Sequence, residues 1–425
     1  MISSTLPGGV GESLRPQVGF RAGSGAGSQL SKQRHTDGKA AHHMGDSALG
    51  FGVLGPMQMT VNGVEVAVGT PKLRAMLATL VINRNRAVAV DTLISAVWGE
   101  SPLPGARGSV HSYVSNLRKL LSQGDPAPQK TLASAPPGYR LAVADSACDL
   151  GRFATEKAAG VIAAAAGDFE WASRHLTTAL EQWRGAVLED LREFPFVDPF
   201  ATALDEERLT VVTARAEAEL ACGRAAMIIG DLESQVAEHP YREPLWAQLI
   251  SAYYLCERQS DALDAYRRLK TALADDLGID PGPTVQTLHD KILRQEPLDV
   301  KKAARTTAVG AKTVLDQRTR VESGGGAVWL VDASGHRHPL RSVATKIGRL
   351  PDNDIVLDDE KVSRHHAAII DTGTGFAVSD LRSANGVELG GTRIQGSVSL
   401  ADGDQIRICG HVFTFEYDAT GARAT

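Results

Sequence analysis

The sequence predicts a multidomain protein in which a small mixed α and β domain precedes an all-α domain and then an all-β domain. A chain of 425 residues is longer than one ordinary domain. Apolar residues recur at helical spacing through residues 149–296, whereas short alternating runs separated by turn residues flank this region. Residues 51–143 carry a net charge of +5, and residues 148–297 carry −11. The first domain is therefore expected to have an anionic partner.

Shifts in composition divide the chain into five parts. The predicted boundaries are a disordered extension at 1–48, a first folded domain at 49–146, an all-helical domain at 147–297, a flexible linker at 298–325 and a β-sandwich at 326–418. The extension is rich in Gly and Ser and lacks apolar periodicity, so we expect it to lack structure and translation to begin at Met44. The linker is rich in Lys, Arg, Thr and Gly and shows no apolar stripe.

The elements of the first domain follow from local signals. Asn62-Gly63 between β-prone runs predicts a hairpin. Thr70 is the expected N-cap of a first helix, and Asp91 is the expected N-cap of a second, Thr92 to Trp98. A third helix is predicted from about Ala106 to Leu121. Two β-prone runs then flank Pro136-Pro137-Gly138, which predicts a second hairpin.

The third helix has the pattern of a DNA-recognition helix. Its apolar residues fall on one face, and the other face and flanks carry small polar or basic side chains that can enter a major groove: Arg107, His111, Ser112, Ser115, Asn116, Arg118 and Lys119. Any solvated amphipathic helix also has a polar face, so the pattern alone leaves that reading open. The net basic charge and the order of strands, three helices and hairpin favour a winged helix.

The stretch 109–120 resembles the recognition helix of the OmpR-type winged helix-turn-helix family, and Pro137-Gly138-Tyr139 resembles its wing. The resemblance implies binding of double-stranded promoter DNA. The implied DNA contacts are Arg107, His111, Ser115, Asn116, Arg118 and Lys119 on the helix and Arg140 on the wing. For Arg118, the alternative is that it braces the domain.

Seven amphipathic runs and their aromatic residues indicate helical hairpins of a tetratricopeptide-like type in the middle domain. The segments 239–246, 259–267 and 275–283 resemble the bacterial transcriptional activator domain. Together with the winged helix, they give the layout of the Streptomyces antibiotic regulatory protein family. The resemblance implies homodimerisation on DNA or contact with RNA polymerase, and a rigid spacer remains the alternative.

The last domain contains a Gly-Arg, a Ser-x-x-His and an Asn-Gly within about forty residues. A guanidinium forks onto phosphate oxygens and a hydroxyl adds a donor, so the grouping suggests a phosphate pocket. It resembles the forkhead-associated (FHA) domain, a phosphothreonine-reading β-sandwich. The implied phosphothreonine-binding residues are Arg349, Ser363, Arg364 and Asn385. The implied pocket-supporting residues are Gly348, His366 and Gly386.

Two positions depart from the FHA pattern. Many members have Ser or Thr just before the Asn-Gly, where this chain has Ala384, and the usual later Asn is replaced by Gly390. One phosphate hydrogen bond is therefore expected to be missing, although Ser383 could partly substitute. Because a charge-assisted bond contributes roughly 1.5–3 kcal/mol, affinity is expected to fall about tenfold or more while the Arg349 anchor remains.

Other classes of protein find little support. Cys148, Cys222, Cys256 and Cys409 are scattered, so neither a zinc site nor a disulfide framework is indicated, and buried free thiols are expected. No metal and no cofactor is predicted. No membrane partner is predicted either, since no apolar run approaches the ~18 residues of a membrane span. The absence of a signal-peptide pattern predicts a cytoplasmic location. Motifs for phosphate loops, zinc proteases and nucleophile elbows are also missing, which argues against an enzyme.

The sequence thus predicts a DNA-binding transcriptional regulator that docks on a phosphothreonine-containing protein, which the resemblance implies is a Ser/Thr protein kinase. The resemblance to regulators with this domain order implies that the target genes are those of cell-wall arabinan synthesis. Linker residues Thr306, Thr307, Thr313 and Thr319 are expected to be exposed to the kinase. The alternative is a phosphorylation-dependent scaffold or adaptor without sequence-specific DNA binding.

Overall fold

The three expected folds occur in the expected order in a computed structural model of the chain. The model describes residues 48–99, 104–323, 327–340, 344–351, 353–372, 375–394 and 396–418. The extension predicted to be disordered, with the start predicted at Met44, lies outside the described residues apart from Ala48.

The first domain contains two small antiparallel sheets, three longer helices and one single-turn helix. Its elements are β1 (Leu49–Gly52), β2 (Gln58–Val61), β3 (Val64–Glu65), α1 (Pro71–Ile82), β4 (Val88–Ala89), α2 (Val90–Trp98), α3 (Ala106–Leu121), α4 (Pro128–Thr131), β5 (Leu132–Ala135) and β6 (Gly138–Leu141). Strands β1, β2 and β3 form one sheet, and β4, β6 and β5 form the other in that order. The hairpin at Asn62-Gly63 and the Thr70 cap are confirmed. This is the winged-helix arrangement, with β5 and β6 as the wing.

The prediction for Asp91 was wrong. Helix α2 begins two residues earlier than expected, and its N-cap is Ala89, which makes no side-chain cap hydrogen bond. Asp91 lies in the first turn, where its carboxylate accepts from Arg107 Nη2 at 2.6 Å. The residue therefore joins α2 to the start of α3, because both side chains project from neighbouring helices.

The middle domain consists of paired helices, as predicted. They are α5 (Asp149–Ala166), α6 (Phe169–Leu180), α7 (Val197–Ala221), α8 (Ala225–Glu238), α9 (Glu243–Leu255), α10 (Gln259–Leu277) and α11 (Pro283–Leu293). The 25-residue helix α7 belongs to two cores. Its first half packs with the winged helix through Phe200 and Leu204, and its second half packs with α8, α9 and α10 through Ala216 and Leu220.

A buried carboxylate joins the first two domains. Asp149, at the start of α5, is 2% exposed and accepts from the backbone N–H groups of Val53 and Leu54 at 2.9 Å. It also accepts from the N–H of Leu150 at 2.7 Å, and Arg184 Nη2 lies 3.2 Å away. Since the 53–54 segment follows β1 directly, this carboxylate fixes the winged helix to the helical domain.

The prediction of a flexible linker at 298–325 was wrong for most of that segment. Residues Val300–Ser323 form helix α12, which packs against α5 and α7. Ala304 and Ala308 are buried among the small side chains of those helices. Two alanines four residues apart make a stripe that is too small to register as apolar periodicity, which explains why the sequence did not indicate a packed helix.

The threonines predicted to lie on that linker are therefore helical. The hydroxyls of Thr306, Thr307 and Thr313 each donate to the carbonyl oxygen four residues earlier. Thr307 also hydrogen-bonds to the side chain of Glu217 on α7. The backbone of Thr319 belongs to α12 as well.

Burial of Glu217, on helix α7, predicts a pH dependence of stability. Burial raises the pKa of Glu217 from 4.5 to about 7. The folded state thus binds a proton more tightly than the unfolded state, so this contribution is full below pH ~4.5 and disappears as pH rises through 7. We expect Glu217→Gln to raise stability at pH 8 by on the order of 2–3 kcal/mol and to change it little at pH 4.5. Calorimetry at the two pH values measures the difference, and equal gains at both would contradict it.

The C-terminal domain is a sandwich of two sheets. Its strands are β7 (Ala327–Asp332), β8 (Arg337–Pro339), β9 (Ala344–Gly348), β10 (Ile355–Val356), β11 (Ala367–Asp371), β12 (Phe376–Asp380), β13 (Val387–Leu389), β14 (Thr392–Arg393), β15 (Ser397–Ser399), β16 (Gln405–Ile408) and β17 (His411–Asp418). One sheet has the order β10-β9-β11-β12-β15, and the other β14-β13-β16-β17-β7-β8.

Strand β11 is buried on both faces. Ala367 and Ile369 belong to the sandwich core, whereas Ala368 and Ile370 point the other way and join the core of the winged helix and α7. This two-sided burial fits the continuous apolar run at 367–370. The outer face of the five-stranded sheet is therefore an interdomain surface.

The four cysteines are free, as expected, but only Cys148 is buried. Burial raises its pKa to about 12, so this thiol stays protonated at neutral pH. Among the described residues, none of the helices has the length and apolar character that crossing a bilayer requires.

Candidate functional site

Loops at one end of the sandwich line a cavity of about 520 Å³ that is open to solvent. It contains all four predicted phosphothreonine-binding residues. The lining residues are Arg349, Glu360, Lys361, Val362, Ser363, Arg364, His365, Leu381, Ala384 and Asn385. Three of these side chains are cationic and one is anionic, so the cavity suits an anionic ligand.

Gly348 brings Arg349 to this cavity by allowing two chain segments to approach closely. A Cβ at position 348 would lie 2.4 Å from the carbonyl oxygen of Arg364. The N–H of Arg349 donates to the carbonyl of Ser363 at 3.0 Å, and the guanidinium is exposed. The backbone is therefore fixed at this point while the cation remains accessible to a ligand.

His366 holds two of the loops together. It is fully buried; its Nδ1 accepts from the N–H of Ser363 at 3.0 Å, and its Nε2 lies 3.0 Å from the carbonyl oxygen of Gly386. Gly386 has φ +76°, a left-handed conformation that favours glycine, and a Cβ there would also overlap Arg393. Both residues thus lie behind the cavity, where they support its walls.

The side chains expected to hold the phosphopeptide contact the chain itself in this structure. Ser363 Oγ accepts from the N–H of Ala384 at 3.1 Å, and Asn385 Nδ2 donates to the carbonyl of Lys361 at 2.7 Å. Ser383 Oγ accepts from the N–H of Gly386 at 2.9 Å, so it stabilises the turn. A hydroxyl and a primary amide have further donors and acceptors, which leaves capacity for a ligand.

Sequence reasoning missed two residues of this site. Lys361 lines the cavity, and its position two residues before the Ser-x-x-His motif was an available signal. Asn353 is 6% exposed and donates from Nδ2 to the carbonyls of Leu350 and Arg364 at 2.8 and 2.9 Å. It joins the loops on either side of Arg349, which no local pattern indicated because its partners are distant in sequence.

The second group of predicted residues lies on α3 and the wing. Val110, Val114, Leu117 and Leu121 are buried, as the amphipathic pattern required. Arg107, His111, Ser115, Asn116 and Lys119 are exposed on the helix, and Arg140 is exposed on β6. The structure therefore brings the predicted DNA contacts to an exposed helix face and its adjacent hairpin.

Two of these residues also have structural roles. Arg118 is half-buried and donates from Nε and Nη2 to the carbonyl of Leu132 at 3.0 and 2.8 Å, so its guanidinium braces the wing. His111 Nδ1 lies 2.7 Å from the hydroxyl of Tyr139 on β6. These contacts set the angle between α3 and the wing.

Known families match each of the three domains. Residues 65–141 match the model described as transcriptional regulatory protein, C terminal, residues 148–293 match the bacterial transcriptional activator domain, and residues 345–409 match the FHA domain. The chain is 62% identical over 375 residues to the transcriptional regulatory protein EmbR of Mycobacterium tuberculosis, which covers 88% of this chain and 97% of that protein. The chain belongs to the EmbR family of transcriptional regulators.

Two further comparisons agree with membership of the EmbR family. A solved structure of Mycobacterium tuberculosis EmbR in complex with a low-affinity phosphopeptide superimposes with a TM-score of 0.84 at 61% identity, covering 89% of this chain and 100% of the other. The regulator MoaR1 of Mycobacterium tuberculosis is 51% identical over 253 residues, which is 59% of this chain and 81% of that protein. The solved EmbR structure thus matches the winged helix, the helical domain and the sandwich of this chain together.

Proposed function

We propose that this transcriptional regulator binds promoter DNA through α3 and the wing, and binds a phosphothreonine-containing protein in the sandwich cavity. A Ser/Thr protein kinase is the proposed phosphoprotein, and genes for cell-wall arabinan synthesis are the proposed targets. The supporting observation is the convergence of Arg349, Ser363, Arg364 and Asn385 on one cavity in an EmbR-family chain. Among solved relatives, the structure of EmbR of Mycobacterium tuberculosis is a complex with a low-affinity phosphopeptide.

Roles within the two sites follow from charge and exposure. Arg349 would take two phosphate oxygens through its planar fork, Ser363 would donate a hydroxyl hydrogen bond, and Arg364 would add positive charge. Asn385 would pair with the peptide backbone. On the DNA side, Ser115 and Asn116 would contact base edges, while Lys119 and Arg140 would contact phosphates.

A binding assay on the full chain tests both halves. Phosphothreonine peptides from a degenerate library and their unphosphorylated forms are titrated separately, and duplex sites are recovered by selection from random DNA. The proposal expects retention of phosphorylated peptides only and enrichment of a sequence motif. Equal binding of the two peptide forms would refute the assignment of the cavity to phosphothreonine. Binding of DNA without sequence enrichment would refute sequence-specific binding of promoter DNA.

The salt dependence of duplex binding identifies the phosphate contacts. We expect Lys119→Ala to weaken binding to all duplexes about equally and to reduce the slope of log K against log salt by about one. Lys312→Ala, on α12, is the matched control because its ammonium pairs with Asp316 at 2.6 Å, away from α3. An unchanged slope for Lys119→Ala would remove this residue from the interface.

For the helical domain, we propose homodimerisation on DNA or contact with RNA polymerase, because residues 148–293 match the bacterial transcriptional activator domain. Light scattering with and without duplex distinguishes the first from the second. We also propose that the protein works in the cytoplasm, where its DNA is, and acts by binding without catalysis. If no duplex binds at low salt, the scaffold function becomes the better account.

A further inference from the structure

The sandwich is held to both other domains by two consecutive residues at the end of β11. The carboxylate of Asp371 forms an ion pair with Arg86, which lies between α1 and β4 of the winged helix. The hydroxyl of Thr372 donates to Glu207 Oε1 on α7 at 2.6 Å. Asp371 and Thr372 are 6% and 0% exposed. We call these contacts the β11 junction.

The junction contains two charge pairs: the Arg86 side chain of the first is about half exposed, whereas the pair on Glu207 is largely removed from water. Glu207 is 5% exposed, and its other oxygen accepts from Lys157 Nζ on α5 at 2.8 Å. Removing one partner from such a buried pair is costly, since the remaining charge stays desolvated. The apolar contacts of Ala368 and Ile370 lie on the same strand. The strand is therefore fixed at this end.

The opposite end of β11 reaches the phosphopeptide cavity. His366, which binds Ser363 and the Gly386 loop, directly precedes the strand. Its carbonyl accepts from the N–H of Leu381 at 3.0 Å, and Leu381 both lines the cavity and packs against the core shared with the winged helix. Four strand residues, 367–370, thus lie between His366 and Asp371, which places the cavity wall about 16 Å from the junction at the usual rise.

On the other side of the junction, short contacts lead to the DNA-binding surface. Asn85, next to Arg86, donates from its N–H to the carbonyl of Leu141 at 2.7 Å. Strand β4 follows, and Val88 pairs with Tyr139 of the wing. The hydroxyl of Tyr139 lies 2.7 Å from His111 on α3. A displacement of Arg86 would therefore reach both the wing and the recognition helix.

We propose that Arg86 and Asp371 are positioning residues that couple occupancy of the phosphothreonine cavity to DNA affinity. This inference rests on the proposed function. A bound peptide adds bonds to Ser363 and Asn385, whose side chains already hold Ala384 and Lys361, and so restrains the loops that His366 joins at the start of β11. The junction transmits this restraint to the base of the wing. Because linkage is reciprocal, DNA changes peptide affinity by the same factor.

The test measures a coupling factor, the ratio of DNA dissociation constants without and with saturating phosphothreonine peptide. It uses the full chain, a peptide selected on it from a degenerate library, and a duplex selected by it. We expect a factor of at least about fivefold in either direction, within the usual range of allosteric coupling. Asp371→Ala and Arg86→Ala should bring the factor to within twofold of one while each ligand alone still binds.

Two controls separate coupling from damage. The reversed pair Arg86→Asp with Asp371→Arg should restore the coupling factor, which a general loss of structure could not do. Glu388→Ala removes an exposed pair with Arg407 on the far sheet, with atoms 3.4 Å apart, and should leave the factor unchanged. If Asp371→Ala does not fold, Thr372→Val serves as the second test: it deletes one hydroxyl hydrogen bond and should lower the coupling factor.

The outcomes distinguish this inference from the proposed function. If both ligands bind the unmodified chain and the coupling factor is within twofold of one, the inference is overturned and the proposed function stands. The inference is also overturned, and the proposed function stands, if Asp371→Ala and Arg86→Ala retain the coupling factor of the unmodified chain. If the unmodified chain binds no selected duplex or no phosphopeptide, the proposed function itself fails.

Discussion

Replacing Asp149 with alanine is expected to lower the free energy of unfolding by about 3–5 kcal/mol. The substitution leaves the N–H groups of Val53 and Leu54 without their acceptor in a buried site and removes the carboxylate partner of Arg184. Because these groups join the winged helix to the helical domain, both domains should be affected. Urea unfolding followed by far-UV circular dichroism and tryptophan fluorescence measures the loss.

Two variants define the origin of that effect. Asp149→Asn keeps the shape but presents an amide with only one acceptor oxygen, so an intermediate loss is expected. Asp198→Ala removes an exposed partner of Arg192 at 3.0 Å and should cost about 1 kcal/mol or less. If Asp149→Ala cost no more than Asp198→Ala, the buried carboxylate would not be what joins the two domains.

The second large effect is expected at Arg349. Arg349→Ala should weaken phosphothreonine-peptide binding by about 100-fold or more, since two charge-assisted hydrogen bonds at roughly 1.5 kcal/mol each would be lost. Arg349→Lys keeps the charge without the planar fork, so its affinity should be intermediate. Fluorescence anisotropy with a labelled peptide gives the affinities.

The matched control for Arg349 is Arg407→Ala in the same domain. Arg407 pairs with Glu388 within the six-stranded sheet and does not line the cavity. Peptide affinity should therefore stay within twofold. DNA binding without peptide should be unchanged in both variants. A full-affinity Arg349→Ala protein would show that the phosphate is held elsewhere.

Much of the fold follows from local patterns. The apolar spacing of α3 determines which residues are buried, and the Asn62-Gly63 turn and the Thr70 cap fix neighbouring elements. Such signals are readable because the interacting residues are close in the chain. The prediction failed at α12, where the packing partners Ala304 and Ala308 resemble linker residues in composition.

The site residues show the same division. Motif spacing named Arg349, Ser363 and Asn385, and all three line one cavity. It did not find Asn353, which binds carbonyls on two loops, and it could not decide whether Arg118 braces the domain, since the acceptor at Leu132 lies in another element.

The sequence by itself determined the order of the three domains and the residue types of both candidate binding surfaces, because helix periods, turns and short motifs are encoded locally. Only the tertiary structure decided that β11 lies between the cavity and the winged helix, with Asp371 on Arg86 and Thr372 on Glu207. These partners are separated by 285 and 165 positions, so no local pattern records their contact. These contacts form because one face of β11 packs in the sandwich core and the other face packs against the winged helix and α7.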